Sequence, residues 1–226
     1  MTDANPMETA RARIVTAALD HVPFDGWSMT ALRRGAADIG LDAETAEREF
    51  PGGAGSAIEL WSRACDLRMA AALASAGETP DQRIRDRIAN AVRWRIETVD
   101  GRREAVRRAL SYLAQPQHVL LGTKLLYRTV DEIWYACGDT ATDFNFYSKR
   151  GLLAGVYAST LLYWLDDASD GHAASWAFLG RRIDDVMKVP KLTARLGRKP
   201  HLPGMAFDPA RFARRVATRL REGDCA

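Results

Sequence analysis

The chain has 226 residues, of which 47% are hydrophobic, so it can bury the core of one or two domains. Its formal net charge of +3 at pH 7 is small, and charge alone therefore does not indicate a nucleic-acid-binding protein. Three widely spaced cysteines favour free thiols over a disulfide framework or a zinc site, and the longest uncharged apolar run, 151–165, is shorter than the roughly 20 residues of a membrane span.

The N-terminal part of the chain predicts a small bundle of three short helices. The first helix is predicted over residues 7–22, where Pro23 and Gly26 would end it. Ser28 or Thr30 can cap the next helix. The predicted core of this bundle consists of Ile14, Leu19, Trp27, Leu32, Ile39, Leu41 and Phe50.

Residues 28–50 have the outline of a helix-turn-helix motif, with an alanine-rich helix, Gly40 in the turn and a second short helix. In DNA-binding proteins the second helix enters the major groove beside phosphate groups. Here that helix carries Arg48 against four acids, a net charge of −3; the acids are Asp42, Glu44, Glu47 and Glu49. Because phosphate contacts supply most non-specific affinity, the motif is predicted to have lost DNA binding.

Glycines and prolines divide the rest of the chain into further helices. Residues 51–55 predict a flexible break, and helices are predicted over 56–74, 81–99, 102–114, 116–138, 143–166 and 173–189. Pro190, Pro200 and Pro203 mark a non-helical linker, and Asp208-Pro209 begins a last helix. The sequence therefore predicts an all-α fold in four parts: a helix-turn-helix-like bundle (1–55), a larger helical bundle (56–190), a linker (191–207) and an amphipathic helix (208–226).

The predicted helix 143–166 is apolar on nearly all sides, which is typical of a helix inside a bundle. Small residues beside aromatic ones can leave an apolar ligand cavity open, although tight helix packing is the alternative reading. The candidate lipid-binding residues are Leu153, Val156, Tyr157, Thr160, Leu161 and Trp164 of this helix, with Trp134 and Trp176 from its neighbours.

The start of the same helix combines aromatic residues with arginine, as protein interfaces do. The candidate partner-binding residues are Phe144, Phe146, Tyr147 and Arg150. A helix start that folds onto the core is the alternative.

The last helix has an apolar stripe bordered by arginines, which suits an anionic membrane surface. The candidate membrane-binding residues are Phe212, Val216 and Leu220 with Arg211, Arg215 and Arg219. Docking of this helix on the protein's own bundle is the alternative.

Catalysis has little support in the sequence. The four histidines are not paired at helical spacing, no phosphate-binding glycine loop is present, and no metal or cofactor site is predicted. If the chain were instead an enzyme acting on a lipid, His118 and His172 would be the first candidates for a titratable group in the bundle.

Several segments together resemble one family: Trp27–Leu32, the break at 50–53, Asp131–Trp134, and above all 138–154, which reads GDTATDFNFYSKRGLLA. They resemble the ubiquinone-biosynthesis accessory protein family, coenzyme Q protein nine. The resemblance implies a TetR-like all-α fold that is usually dimeric and has lost DNA binding. It also implies binding of isoprenoid-quinone lipids, a membrane-engaging C-terminal helix, and a demethoxyubiquinone hydroxylase as partner.

The resemblance places the partner-binding patch at Phe146, Tyr147, Ser148 and Arg150, where Phe146 replaces the family's tryptophan. The combined prediction is a non-enzymatic accessory protein that takes up the isoprenoid tail of a quinone intermediate and presents the head to the hydroxylase. We expect a homodimer that binds no nucleic acid, in the bacterial cytoplasm at the surface of the inner membrane. The main alternative is a TetR-like transcriptional regulator with a hydrophobic effector.

Overall fold

The computed structural model describes residues 10–77, 83–138 and 145–195, with side chains at 10–77, 83–138 and 149–186. These residues form ten α-helices and no strand, so the predicted all-α class is confirmed. The helices are α1 (Ala10–Ala18), α2 (Val22–Asp25), α3 (Met29–Asp38), α4 (Ala43–Glu49), α5 (Gly53–Ala76), α6 (Ile84–Glu97), α7 (Arg103–Leu113), α8 (Val119–Ala136), α9 (Asn145–Asp166) and α10 (Ala173–Arg195).

The first predicted helix is shorter than expected. Within the described residues α1 ends at Ala18, and a separate short helix, α2, begins at Val22. Pro23 therefore does not end a helix but lies in the first turn of α2, where a proline removes no helical hydrogen bond.

The helix-turn-helix outline is confirmed by its caps. The Ser28 side chain accepts a hydrogen bond from Ala31 N at the start of α3, and Asp42 accepts one from Thr45 N at 2.6 Å at the start of α4. Helices α1 and α3 cross so closely that a Cβ atom on Gly35 would lie 2.5 Å from the backbone nitrogen of Ala18. A glycine is required at that crossing.

The predicted break at 51–55 is wrong, because α5 already begins at Gly53. Gly53 has a φ of +62°, which a glycine adopts readily, and its N–H donates to Phe50 O at 2.8 Å. Phe50 is buried beneath this turn, and Ser56 Oγ donates to Gly53 O. Tertiary packing thus overrides the low helix propensity of the glycines.

The C-terminal limit of the bundle also differs from the prediction. Helix α10 continues past Pro190 to Arg195, so the predicted linker at 191–207 begins with helical residues. Proline costs one helical hydrogen bond, and the residues after it include good helix formers such as Leu192 and Ala194.

The chain divides into two compact units, Met1–Val186 and Met187–Ala226. In the first unit, one continuous hydrophobic core joins the N-terminal helices to the larger bundle. Helix α5 packs against α6 and α8, α8 packs against α9, and α2 packs against α7. Of the second unit the structure describes only the helical backbone at 187–195, and the four-part division proposed from the sequence stays a prediction.

Candidate functional site

A cavity of about 430 Å³ lies inside the larger bundle, between α5, α6, α7, α8 and α9. Small-molecule sites typically have volumes of about 300–1,000 Å³ and mostly apolar walls. The apolar wall residues include Ile58, Trp61, Val99, Val106, Leu110, Leu113, Leu125, Leu126 and Leu161. The cavity therefore has the size and lining of a site for a hydrophobic ligand.

Small side chains help to keep the cavity open. Ala109 and Ala114 of the α7 segment and Ala158 of α9 line it, so their helices contribute little side-chain volume there. Gly122 of α8 also lines it, and a Cβ atom at Gly122 would lie 3.3 Å from Leu113 Cβ. Helices α7 and α8 thus approach each other closely beside the cavity.

The cavity opens where α8 begins. Val119 is 45% exposed and Leu162 is 57% exposed, although both line the cavity. Leu120, next to this opening in the sequence, is 85% exposed. A cluster of exposed, large apolar side chains at the mouth of a cavity favours contact with an apolar molecule over contact with water.

The opposite part of the cavity is polar. Arg95 of α6 is buried and its Nε donates to Asp66 Oδ1 of α5 at 2.6 Å. Thr129 Oγ1 donates to the same carboxylate oxygen at 2.9 Å, and Arg95 Nη2 reaches Ser62 Oγ at 3.3 Å. A buried ion pair persists only with such hydrogen bonds around it. We call Ser62, Asp66, Arg95, Thr129 and Tyr157 the polar corner.

A second layer of charge supports the polar corner from outside. Arg128 Nε lies 3.6 Å from Asp66 Oδ2, and Arg128 Nη1 donates to Glu59 Oε1 at 3.2 Å. Lys124 Nζ also donates to Glu59, and this hydrogen bond is the main reason that the pKa of Glu59 lies below its usual value. The charged side chains of α5 and α8 thereby fix Asp66 in place.

Tyr157 completes the polar corner from α9. It is 6% exposed, and burial raises the pKa of its phenol, which Arg95 only partly offsets. Tyr157 is therefore a neutral hydroxyl at physiological pH and can donate a hydrogen bond. Burial by itself would lower the pKa of Arg95, but the neighbouring Tyr157, Cys65 and Asp66 raise it, so Arg95 stays charged.

Two of the eight predicted lipid-binding residues, Tyr157 and Leu161, lie in the cavity wall. The other six do not, and their predicted position is corrected: they are Leu153, Val156, Thr160, Trp164, Trp134 and Trp176. The four on α9 form a second buried stripe, about a third of a turn from the cavity face, which packs in the core. Both stripes are apolar, so composition alone could not separate them.

The tryptophans outside the wall have other contacts. Trp164 is fully buried with the Arg103 guanidinium 4.7 Å from its ring centre. Trp176 lies beneath Arg93 and donates from Nε1 to Gly171 O at 2.9 Å, and Lys149 lies 5.6 Å from the Trp134 ring centre.

The predicted partner-binding patch is described only in part. Phe144 lies outside the described residues, and the side chains of Phe146 and Tyr147 do too. Arg150 is 5% exposed and its Nε donates to Asp131 Oδ1 of α8 at 2.7 Å. Its guanidinium thus lies between α8 and α9, and its role in partner binding stays a prediction.

The predicted membrane-binding residues, Arg211, Phe212, Arg215, Val216, Arg219 and Leu220, lie outside the described residues. Among the helices that the structure describes, none combines the length and the hydropathy that crossing a bilayer requires. Nor do the described side chains bring three or more potential metal ligands together.

Neither candidate catalytic histidine lines the cavity. His118 stacks on Tyr112 with ring centres 4.0 Å apart. His172 contacts Arg103 at 2.7 Å and Asp100 at 3.3 Å, at the junction before α10. The titratable groups that line the cavity are instead Cys65, Arg95 and Tyr157.

The polar corner is the feature that sequence reasoning missed. Arg95 follows Ile88 and Val92 on the buried face of α6, and Asp66 lies between Cys65 and Met69 on the buried part of α5. A charged residue at a buried helical position requires a buried partner. The sequence places one acid, Asp66, and one base, Arg95, at such positions on two successive helices, and this pattern could have predicted the pair.

Part of this bundle matches a known protein family. The COQ9 family model matches residues 119–190, which contain α8, α9 and much of α10. The chain is 31% identical over 207 residues to the ubiquinone biosynthesis protein COQ9, mitochondrial, of Drosophila melanogaster, covering 90% of this chain and 63% of that protein. It is 34% identical to the protein of the same name from Rattus norvegicus, covering 83% of this chain and 62% of that protein. The chain thus spans somewhat less than two thirds of the length of these relatives.

The expected location in the bacterial cytoplasm is wrong by the same comparison. The relatives from fly, rat, human and cow are all named as mitochondrial proteins, and all four organisms are eukaryotes.

The fold also matches a solved structure, the TetR transcriptional regulator from Nitrosomonas europaea ATCC 19718. The TM-score is 0.62 at 19% sequence identity, over 81% of this chain and 99% of that one. This likeness confirms the predicted TetR-like fold, and the sequence relatives are the more specific finding. Residues 119–190 thus match the COQ9 family model, and most of the chain is similar to COQ9 proteins.

Proposed function

We propose that this protein is a non-enzymatic accessory protein of ubiquinone biosynthesis, which binds an isoprenoid-quinone intermediate and delivers it to a membrane-associated demethoxyubiquinone hydroxylase. The observation that carries this proposal is the cavity of about 430 Å³ in the larger bundle, whose wall is formed in part by α8 and α9 of the family-matching stretch 119–190. The names of the relatives support the pathway, since each is called a ubiquinone biosynthesis protein.

The driving force for binding is the burial of hydrocarbon. Each CH2 group that leaves water for the apolar wall contributes about 0.8 kcal/mol. A long isoprenoid tail exceeds the cavity, so part of it extends through the mouth past Val119 and Leu162. The exposed Leu120 offers further apolar surface beside that mouth.

Delivery requires a membrane and a partner. In this proposal the helix predicted at 208–226, with Phe212, Val216 and Leu220, docks on the bilayer, and the start of α9 contacts the hydroxylase. The residues proposed for those contacts lie outside the described side chains, so their support is the sequence pattern. The homodimer expected from the resemblance stays a prediction.

The lipid step is tested by filling the cavity. Ala158 lines the cavity, and we expect Ala158→Phe to weaken binding of a short-chain ubiquinone at least tenfold because the ring occupies the ligand's space. Binding is measured by native mass spectrometry and by titration calorimetry. Lipid extraction of the purified wild-type protein should release an isoprenoid.

Ala177→Phe is the matched control, because Ala177 lies on the exposed side of α10 away from the cavity. We expect the control variant to bind like the wild type. The proposal would be refuted if the Ala158 variant bound ubiquinone as tightly as the wild type, or if the wild type did not bind it.

A further inference from the structure

The cavity contains hydrogen-bond donors that the described chain does not use. Arg95 donates from Nε to Asp66 and from Nη2 to Ser62, which leaves Nη1 without a hydrogen bond within the described residues. The Tyr157 hydroxyl likewise makes no hydrogen bond there, although Tyr157 is more than nine-tenths buried. Both side chains line the cavity.

These donors differ from the other unpaired polar groups of the core. The indole nitrogens of Trp134 and Trp164 lack a hydrogen bond and are not accessible to solvent or to a ligand. The Tyr157 hydroxyl is not sealed in this way, because it borders open space in the cavity wall. A buried donor that faces open space is available to a ligand, and leaving it unpaired costs stability.

The charges of the polar corner determine which hydrogen-bonding group of a ligand fits there. Arg95 is charged and Tyr157 is a neutral donor, while Asp66 Oδ1 already accepts from Arg95 and Thr129 and Asp66 Oδ2 is buried out of contact with open space. The open positions therefore favour a hydrogen-bond acceptor with partial negative charge, and a carbonyl or methoxy oxygen fits that description. A pure hydrocarbon would leave both donors unpaired.

We propose that the Tyr157 hydroxyl and Arg95 Nη1 bind an acceptor oxygen of the ligand's aromatic head, so that the head is held inside the bundle and the tail points to the mouth. This inference rests on the proposed function and adds to it the ligand's orientation and the residue that selects for an oxygenated ring.

The dimensions agree with this orientation. Thr129 in the polar corner and Val119 at the mouth are ten residues apart on α8. At 1.5 Å per residue, the distance along the helix is about 15 Å, enough for a ring and the first isoprene units. The tail then reaches the mouth first on release, and the head leaves last.

The test compares two probes of equal chain length: ubiquinone with three isoprene units, and farnesene, a hydrocarbon without oxygen. Tyr157→Phe removes only the hydroxyl. We expect it to weaken ubiquinone binding about tenfold and to leave farnesene binding unchanged. Tyr163→Phe is the matched control on the same helix, because Tyr163 stacks on Phe178 outside the cavity.

Equal weakening for both probes would overturn the inference, since it would indicate a structural role for the hydroxyl. Unchanged ubiquinone affinity in the Tyr157 variant, with normal wild-type binding, would overturn it while leaving the proposed function intact. A wild type that binds neither probe would instead refute the proposed function.

A second readout needs no variant. The infrared carbonyl stretch of carbon-13-labelled ubiquinone should shift to lower frequency on binding to the wild-type protein, because a hydrogen bond weakens the C=O bond. A bound carbonyl with the frequency found in dry hydrocarbon would contradict the inference.

Discussion

The Arg95–Asp66 pair decides whether the polar corner exists. Both side chains are almost completely buried, at 7% and 2% exposure, so solvent screens their attraction little. Removing one partner leaves the other charge buried without compensation, and this costs more than the pair itself contributes.

We therefore expect Arg95→Met to reduce the free energy of unfolding by about 3–5 kcal/mol, measured by urea denaturation. The double variant Arg95→Met/Asp66→Leu should recover most of this loss, because no unpaired charge remains. The control is Arg33→Met, which breaks the exposed ion pair to Glu47 and should cost less than about 1 kcal/mol. A loss in the buried variant as small as in this control would show that water reaches the corner.

At the scale of the helices, the connection between α9 and α10 depends on Asp167. Its Oδ1 accepts from Ser169 N at 2.8 Å, and its Oδ2 accepts from Ser175 N at 2.9 Å and from Ser175 Oγ. These hydrogen bonds, first from Ser169 and then from Ser175, hold the pKa of Asp167 well below its usual value near 3.8. The carboxylate thereby ties the end of α9 to the first turn of α10.

This lowered pKa predicts a dependence of stability on pH. A group whose pKa is lower in the folded state stabilises that state above its unfolded pKa, here near 3.8, and loses the contribution as pH falls below it. The Tm of Asp167→Ala should therefore lie below that of the wild type at pH 7, and the difference should shrink at pH 3. Asp166→Ala is the control, because Asp166 is 79% exposed and its ion pair to Arg107 is weak. A difference in Tm for the Asp167 variant that is constant from pH 7 to pH 3 would refute this assignment.

The sequence predicts the helices well and their faces less well. Caps such as Ser28 and Asp42 use local contacts, so α3 and α4 begin where they are expected. Gly53 and Pro190 lie within helices despite their propensities, because packing or the following residues outweigh one unfavourable position. On α9 two apolar stripes have the same composition, and only the tertiary arrangement shows that Tyr157 and Leu161 line the cavity.

At the scale of the whole molecule, the helix-turn-helix outline and the bundle that contains the cavity share one continuous core within the described residues. Asp42, Glu44 and Glu47 are exposed on and beside α4. Glu47 also pairs with Arg33 of α3 at 2.6 Å, which occupies a base that could contact phosphate. The helix-turn-helix geometry is thus combined with a net negative charge, which we expect to oppose DNA binding.

We expect no specific duplex binding at physiological salt in a gel-shift experiment. Replacing Glu44, Glu47 and Glu49 by lysine changes the charge of the α4 region from −3 to +3, since each substitution adds two charges. This variant should gain salt-sensitive, non-specific DNA affinity, because the added cations release counterions from the duplex. Tight binding by the unmodified protein would support the regulator alternative.

The tryptophan pair Trp27 and Trp61, beside the cavity, has an optical consequence. Trp61 lines the cavity, and its ring centre lies 5.3 Å from that of Trp27, whose Nε1 donates to Ala105 O. A quinone ring accepts electrons, and it quenches the fluorescence of a tryptophan that it contacts or closely approaches. A quinone that enters the cavity would therefore quench the fluorescence of Trp61. Binding and release of the quinone could then be followed in real time without an added dye.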